Sequence, residues 1–257
     1  MDKALIKKRF SRARTTYLHE ASVQHHIARQ MNNAIQSFIP ENSRKKVLEI
    51  GCGTGTFTRI YLRESETEKL ILNDICTNVI TEFDDIITQK KTLADICFIS
   101  GDAESLDFPH GMDMIASCSA IQWFENPLYF MRNCINTLND NGFLAVSTFG
   151  PENMKEIKQI THKSLPYIPL ETIIHSLKDV YDIIYSSEEK LTLRFESPVD
   201  VLKHLKKTGV NGISSEVWTK GRLNEFSENY RKQFTDSTNG IPLTYNPIYI
   251  ICRKKAS

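Results

Sequence analysis

The sequence predicts an α/β fold, a mostly parallel sheet with helices on both faces. Three observations carry this. Five short apolar runs recur through the first 150 residues, separated by stretches long enough for helices, and strand–helix alternation of this kind builds parallel sheets. The first run ends in a glycine-rich loop, and acidic residues follow the second and third. Ligands of parallel sheets sit beyond the carboxyl ends of the strands, so the informative residues are those just after each run.

In chain order, Val23, Ile27, Met31, Ile35 and Phe38 recur at helical spacing and Pro40 closes the pattern, which predicts a helix over 14–39. The apolar runs 46–50, 70–74, 95–99, 112–116 and 143–147 are the strands, and 55–65, 77–90 and 126–139 are the helices between them. Beyond 150 the alternation weakens. Residues 151–163, 169–178, 198–208 and 215–233 are helix candidates, 181–196 alternates like a strand, and 243–252 is a final β-rich run. There is no internal repeat or flexible linker, so one domain with insertions is expected over residues 1–257.

Composition narrows the function. Among 257 residues, 32 basic and 31 acidic side chains leave a net charge of +1. That balance argues against a general nucleic-acid binder, which carries a basic excess. Apolar residues at 40% and charged residues at 25% fit a globular chain. No apolar run is long enough to span a bilayer. The basic N-terminus lacks the apolar run of a secretory signal. Six cysteines without a C-x-x-C pair read as reduced thiols of a cytoplasmic protein. No H-E-x-x-H spacing occurs, so no metal is expected.

The strongest local signal is Val47-Leu48-Glu49-Ile50-Gly51-Cys52-Gly53-Thr54-Gly55. Glycines permit a sharp turn and close approach of backbone to a ligand, and the amides of the next helix can meet that ligand. Thr56 stands where the dinucleotide pattern requires its last glycine. Asp74 lies about twenty residues on, placed to accept hydrogen bonds from ribose hydroxyls. Asp102, in Gly101-Asp102-Ala103-Glu104, could accept from a purine amine, and Glu49 could meet an amino group. An isolated exposed acid is usually only a solvated side chain; three beside adjacent strand ends are harder to dismiss.

These residues resemble the class I S-adenosylmethionine-dependent methyltransferases, over roughly residues 45–150. The resemblance implies a Rossmann-like seven-stranded sheet with one antiparallel strand, formed by the final run, plus an N-terminal helical lid and a helical insertion before the last strand. It divides the chain into a cap at 1–40, a cofactor core at 45–150 and a substrate side at 151–257. It implies S-adenosyl-L-methionine as cofactor, held by Glu49, Gly51, Gly53, Gly55, Asp74, Ile75, Asp102, Ala103 and Ser117.

Further motifs narrow the resemblance. Phe10-Ser11-Arg12-Ala13-Arg14-x-x-Tyr17 with Val23-Gln24, Ser117-x-x-Ala120-Ile121-Gln122-Trp123, Ser147-Thr148-Phe149-Gly150-Pro151, Leu205-Lys206-x-x-Gly209-Val210 and Pro242-Leu243-Thr244-Tyr245 appear in order. Together they look like the malonyl-[acyl-carrier protein] O-methyltransferases, which open the pimeloyl branch of biotin synthesis. Departures from that family are Glu49 for Asp, Ile75-Cys76-Thr77 after the ribose acid, Cys118 for Asn and Lys203 for Arg.

The implied acceptor is the free carboxylate of a malonyl thioester. It is ionised near neutral pH, so orientation and exclusion of water are required rather than a general base. Tyr17 is the expected orienting residue in the lid. Gln122, Trp123, Lys203, Lys206, Arg222 and Tyr245 are the expected acceptor residues, with Lys220 as a further basic candidate. An acidic acyl carrier protein is the expected partner, docked by Lys7-Lys8-Arg9-x-x-Arg12-x-Arg14 or by Lys203, Lys206 and Lys207; neither nucleic acid nor membrane is. Gln122, Trp123, Tyr17 and Tyr245 have plain packing roles as alternatives, and the lysines could be a solvated helix face. Two other functions fit the same sheet: methylation of another small molecule, and a non-catalytic nucleotide-binding module.

Overall fold

The computed structural model describes residues 3, 7, 22–87, 94–208, 218–235 and 240–256. Helix α1 (Ser22–Phe38) precedes β1 (Lys46–Ile50), α2 (Thr56–Glu64) and β2 (Lys69–Asp74). A 3-10 segment (Thr77–Phe83) and the short α3 (Asp84–Ile87) precede β3 (Asp95–Ser100) and β4 (Met112–Cys118). Then come α4 (Pro127–Asn133), β5 (Leu138–Phe149), α5 (Lys155–Thr161), α6 (Leu170–Leu177), β6 (Tyr181–Glu188) and β7 (Leu191–Phe195). Helices α7 (Pro198–Lys207) and α8 (Lys220–Phe234) and strands β8 (Ile241–Tyr245) and β9 (Pro247–Lys254) complete the described elements.

Seven strands form one sheet in the order β3-β2-β1-β4-β5-β9-β6. β1 to β5 pair in parallel, while β9 is antiparallel to both β5 and β6. One antiparallel strand in an otherwise parallel sheet is the expected arrangement. The apolar runs are buried on both faces because their side chains alternate. Leu70, Leu72, Met114 and Ala116 pack with Ile27, Met31 and Ile35 of α1 and with Phe57 and Tyr61 of α2. Ile71, Ile115, Leu144 and Val146 pack on the other face with Met131 of α4 and Ile173 and Leu177 of α6.

The final run differs from expectation. It is two strands broken at Asn246, and β8 leaves the main sheet to pair with β7. Asn246 is fully buried and consumes the backbone's pairing capacity locally. Its amide nitrogen Nδ2 donates to Glu188 Oε1 and the Glu189 carbonyl, and its Oδ1 accepts from Glu152 N–H. Pro247 then begins β9 without a donor of its own. The 181–196 run likewise splits, into β6 and β7. The expected helix over 126–139 ends early, since η-type turns at 134–136 pass into β5 at Leu138. The 77–90 helix is mostly a 3-10 segment within its described part. Tyr17, the first part of the 14–39 helix and Gly209-Val210 lie outside the described residues.

Candidate functional site

A cleft opens at the carboxyl ends of β1 to β4, lined among others by Glu49, Gly51, Gly53, Asp74, Ile75, Asp102, Ala103 and Ser119. Lys3, Gln24 and Ala28 border it from the N-terminal side, and Trp123 and Phe124 from the loop after β4.

The glycine loop turns through three left-handed residues, Gly51 (φ 70°), Gly53 (φ 53°) and Gly55 (φ 76°), each unfavourable for a side chain. They do different work. A methyl at Gly51 would strike Ala120, and one at Gly55 would strike Arg59 and Phe83, so these two permit close packing. A methyl at Gly53 would meet nothing within 4 Å: this glycine keeps the cleft itself open. Gly55 is the cap of α2, whose first residue Thr56 lines the cleft.

Asp74 ties the loop to the end of β2. Its carboxylate accepts from Gly53 N–H at 2.9 Å and from Cys76 N–H at 2.8 Å. Burial nonetheless lifts its pKa above the ordinary carboxylate value. Glu49, on β1, is 2% exposed, and its carboxyl accepts from Thr58 Oγ1 at 2.7 Å. Burial, reinforced by the charge of Asp74 and opposed by the Thr58 bond, pushes Glu49 up to about 8. Such a buried acid is poised to ionise when a cation arrives.

At the end of β3, Lys3 Nζ donates to Asp102 Oδ2 and to Glu104 Oε2, both at 2.6 Å. Glu104 also accepts from the N–H groups of Glu125 and Asn126 at 2.8 Å, which fastens the loop bearing Trp123 and Phe124. Partial burial raises the Glu104 pKa, but these bonds and the Lys3 charge outweigh it and hold the carboxyl below its ordinary value.

The expected residues distribute unevenly. Glu49, Gly51, Gly53, Asp74, Ile75, Asp102, Ala103 and Trp123 all line the cleft. Ser117 lies beneath it, buried, donating to the Ile50 carbonyl. Gln122 borders an adjoining cavity with Thr148, Phe149 and Tyr167, and its Nε2 donates to the Ser119 carbonyl. Tyr245 is fully buried, its hydroxyl 2.9 Å from His204 Nε2. Lys203 is exposed on α7 and paired with Asp200, while Lys206, Lys220 and Arg222 are exposed; none of these four lines the cleft. Lys3, Gln24, Glu104 and Ser119 were not singled out from sequence. Gln24 and Glu104 stood inside quoted motifs, but nothing in their spacing marked them.

Comparison with known proteins follows the same outline. A family model described as a methyltransferase domain matches residues 41–196. A malonyl-[acyl-carrier protein] O-methyltransferase of Bacteroides thetaiotaomicron is 44% identical over 99% of each chain. One of Haemophilus influenzae is 35% identical over 98% of this chain and 95% of its own. One of Bacteroides fragilis is 46% identical over 98% of this chain, which spans 51% of that longer relative. Among solved structures, the YcgJ protein of Bacillus subtilis superposes with a TM-score of 0.62 at 16% identity, covering 88% of this chain and 98% of that one. The N-methyltransferase NodS of Bradyrhizobium japonicum, in complex with S-adenosyl-L-homocysteine, gives 0.50 at 12% identity, covering 89% and 87%. Both share the fold.

Proposed function

The chain belongs to the malonyl-[acyl-carrier protein] O-methyltransferase family, and on that premise we propose that it methylates the free carboxylate of a malonyl thioester, using S-adenosylmethionine. The observation that carries this is kinship along the whole chain, 44% identity over 99% of both partners, which includes the substrate side as well as the cofactor core. The methyl ester formed would enter pimeloyl and biotin synthesis.

The cleft fits the cofactor. Gly53 leaves open space at the loop, and Glu49 is a buried acid able to face an ammonium group. Asp74 retains lone pairs for ribose hydroxyls beside its two backbone bonds. Asp102 and Ala103 would border the adenine, with Trp123 and Phe124 as apolar cover. When bound, the cofactor supplies a methyl on a sulfonium, an electrophile that an ionised carboxylate oxygen can take directly, the carbon–sulfur electron pair returning to sulfur and no proton moving. The chain's own task is therefore to bind, align and exclude water.

Residues 1–257 act as one unit in this reading, with 1–40 as the cap that includes Tyr17. The carrier is an acidic acyl carrier protein, and the exposed Lys203, Lys206 and Lys207 on α7 suit its docking. No described helix is long and apolar enough to cross a membrane. The test is production of S-adenosylhomocysteine and of the methyl ester from malonyl-acyl carrier protein, malonyl-CoA and unrelated acceptors. Turnover with an unrelated acceptor alone would overturn the assignment.

A further inference from the structure

Four buried side-chain polar atoms lack a hydrogen-bond partner among the described residues, and three of them belong to residues lining the cleft or the cavity beside it. Gln24 Oε1 and Ser119 Oγ belong to residues lining the cleft; Gln122 Oε1 belongs to a residue of the adjoining cavity. Gln24 is only 7% exposed. Orphaned buried polar atoms are costly and uncommon, so a cluster of them calls for a ligand.

Ser119 is also strained. It is one of four described non-glycine residues with positive φ, at 57°. Its N–H donates to the Ser147 carbonyl at 3.0 Å, with Ser147 Oγ at 3.2 Å, and its own carbonyl accepts from Gln122 Nε2 at 2.7 Å. The backbone is thus held on both sides in a conformation its side chain disfavours, while the hydroxyl meets no partner beyond the neighbouring Cys118 thiol. Strain kept in place by surrounding bonds marks functional positions.

We propose that Ser119 Oγ and the Gln24 amide hold the malonyl carboxylate, with Gln122 positioning Ser119. This rests on the methyl-ester reading above. The strand order sets the place: the ends of β3, β2, β1 and β4 lie in a row. If adenine, ribose and methionine occupy the first three, the transferable methyl is directed to the fourth, where Ser119 stands.

Charge supports neutral donors at this point. The sulfonium already attracts the carboxylate, and a lysine or arginine in contact would repel the sulfonium and draw electron density from the attacking oxygen. Lys3, the one cation among the described cleft-lining residues, is engaged by Asp102 and Glu104. A hydroxyl and an amide can align the carboxylate while leaving it nucleophilic. The orphaned atom of Gln24 is its acceptor Oε1, and a half-turn of the amide exchanges it for Nε2, the donor a carboxylate requires.

The experiment uses the full chain with malonyl-CoA as acceptor and S-adenosylhomocysteine as the probe of the cofactor site. Variants are Ser119→Ala, Gln24→Met and Gln24→Glu. Ser119→Ala and Gln24→Met should each raise KM for malonyl-CoA at least tenfold, keep S-adenosylhomocysteine affinity within twofold, and leave the melting temperature equal or higher, since each removes an orphaned polar group. Gln24→Glu should lose more, by repelling the acceptor. Unchanged KM in both neutral variants would overturn the inference, as would a parallel loss of S-adenosylhomocysteine affinity, which would move the residues to the cofactor site. A wild-type chain that leaves malonyl thioesters unmethylated would overturn the methyl-ester reading and this inference with it.

Discussion

Thr58 Oγ1 donates a hydrogen bond to Glu49 Oε2 at 2.7 Å, joining α2 to β1 inside the core beneath the glycine loop. Both residues are nearly inaccessible to water. Thr58→Val keeps the shape and removes the donor. It should destabilise the chain by about 1–3 kcal/mol, the cost of leaving a buried acceptor unpaired, and should raise the Glu49 pKa further. Chemical denaturation at two pH values measures both.

Glu49 makes stability pH-dependent in a direction unusual for an acid. Its pKa in the folded chain is raised from 4.5 to about 8. Its contribution is therefore full below about 4.5 and is lost as pH rises through 8, because the unfolded chain ionises first. The loss is on the order of 3–5 kcal/mol, and Glu49→Gln should flatten it. A cofactor ammonium beside Glu49 would favour the ionised form, so binding at pH 7 should release a proton. Calorimetry in buffers of different ionisation enthalpy reads that release. Heats independent of buffer would separate Glu49 from the amine.

The three glycines should respond differently to alanine. Gly55→Ala drives a methyl into Arg59 and the Phe83 ring, so stability should fall by about 2 kcal/mol or more. Gly53→Ala meets open space and pays chiefly for its left-handed backbone, about 1–2 kcal/mol. Gly53 lines the cleft, so a methyl there should also lower cofactor affinity at least tenfold. Equal loss of affinity and stability in the two variants would contradict this division of labour.

Asp74→Ala should cost twice. The carboxylate holds Gly53 N–H and Cys76 N–H, so stability should fall by about 1–3 kcal/mol. Cofactor binding should weaken by a similar about 1–3 kcal/mol, from lost ribose bonds and a loosened loop. Thermal melts and calorimetry on the same variant separate the two.

Much of this was legible from local pattern. The runs at 46–50, 70–74 and 112–116 are strands because alternate residues face two different cores, and the glycine loop announces itself by composition. The break at Asn246 was not legible. It depends on partners at 150–153 and 188–189, distant in sequence, which no periodicity in 243–252 records. The lysines of α7 drew notice by charge, yet Lys203 is satisfied by Asp200 on the outer face. Ser119 carries no compositional mark at all: its left-handed backbone is held only once β4 and β5 are paired.

Lys3 occupies Asp102, the acid proposed for adenine, so lysine and cofactor compete for one carboxylate. Its Nζ lies 2.6 Å from Asp102 Oδ2 and from Glu104 Oε2, with all three side chains partly exposed. An adenine amine reaching Asp102 must share or displace the ammonium. Burial lowers the Lys3 pKa, but its bonds to the two carboxylates outweigh that and raise it, so the lysine stays charged through the neutral range. Partly exposed ion pairs contribute little, up to about 1 kcal/mol, so the clamp is displaceable at modest cost. Lys3→Met should therefore tighten S-adenosylhomocysteine binding by about two- to fivefold. Added salt should bring the wild-type chain toward the variant, since screening weakens the same pair. Weaker binding by Lys3→Met would mean the lysine works with the cofactor, bridging it to Glu104, rather than against it.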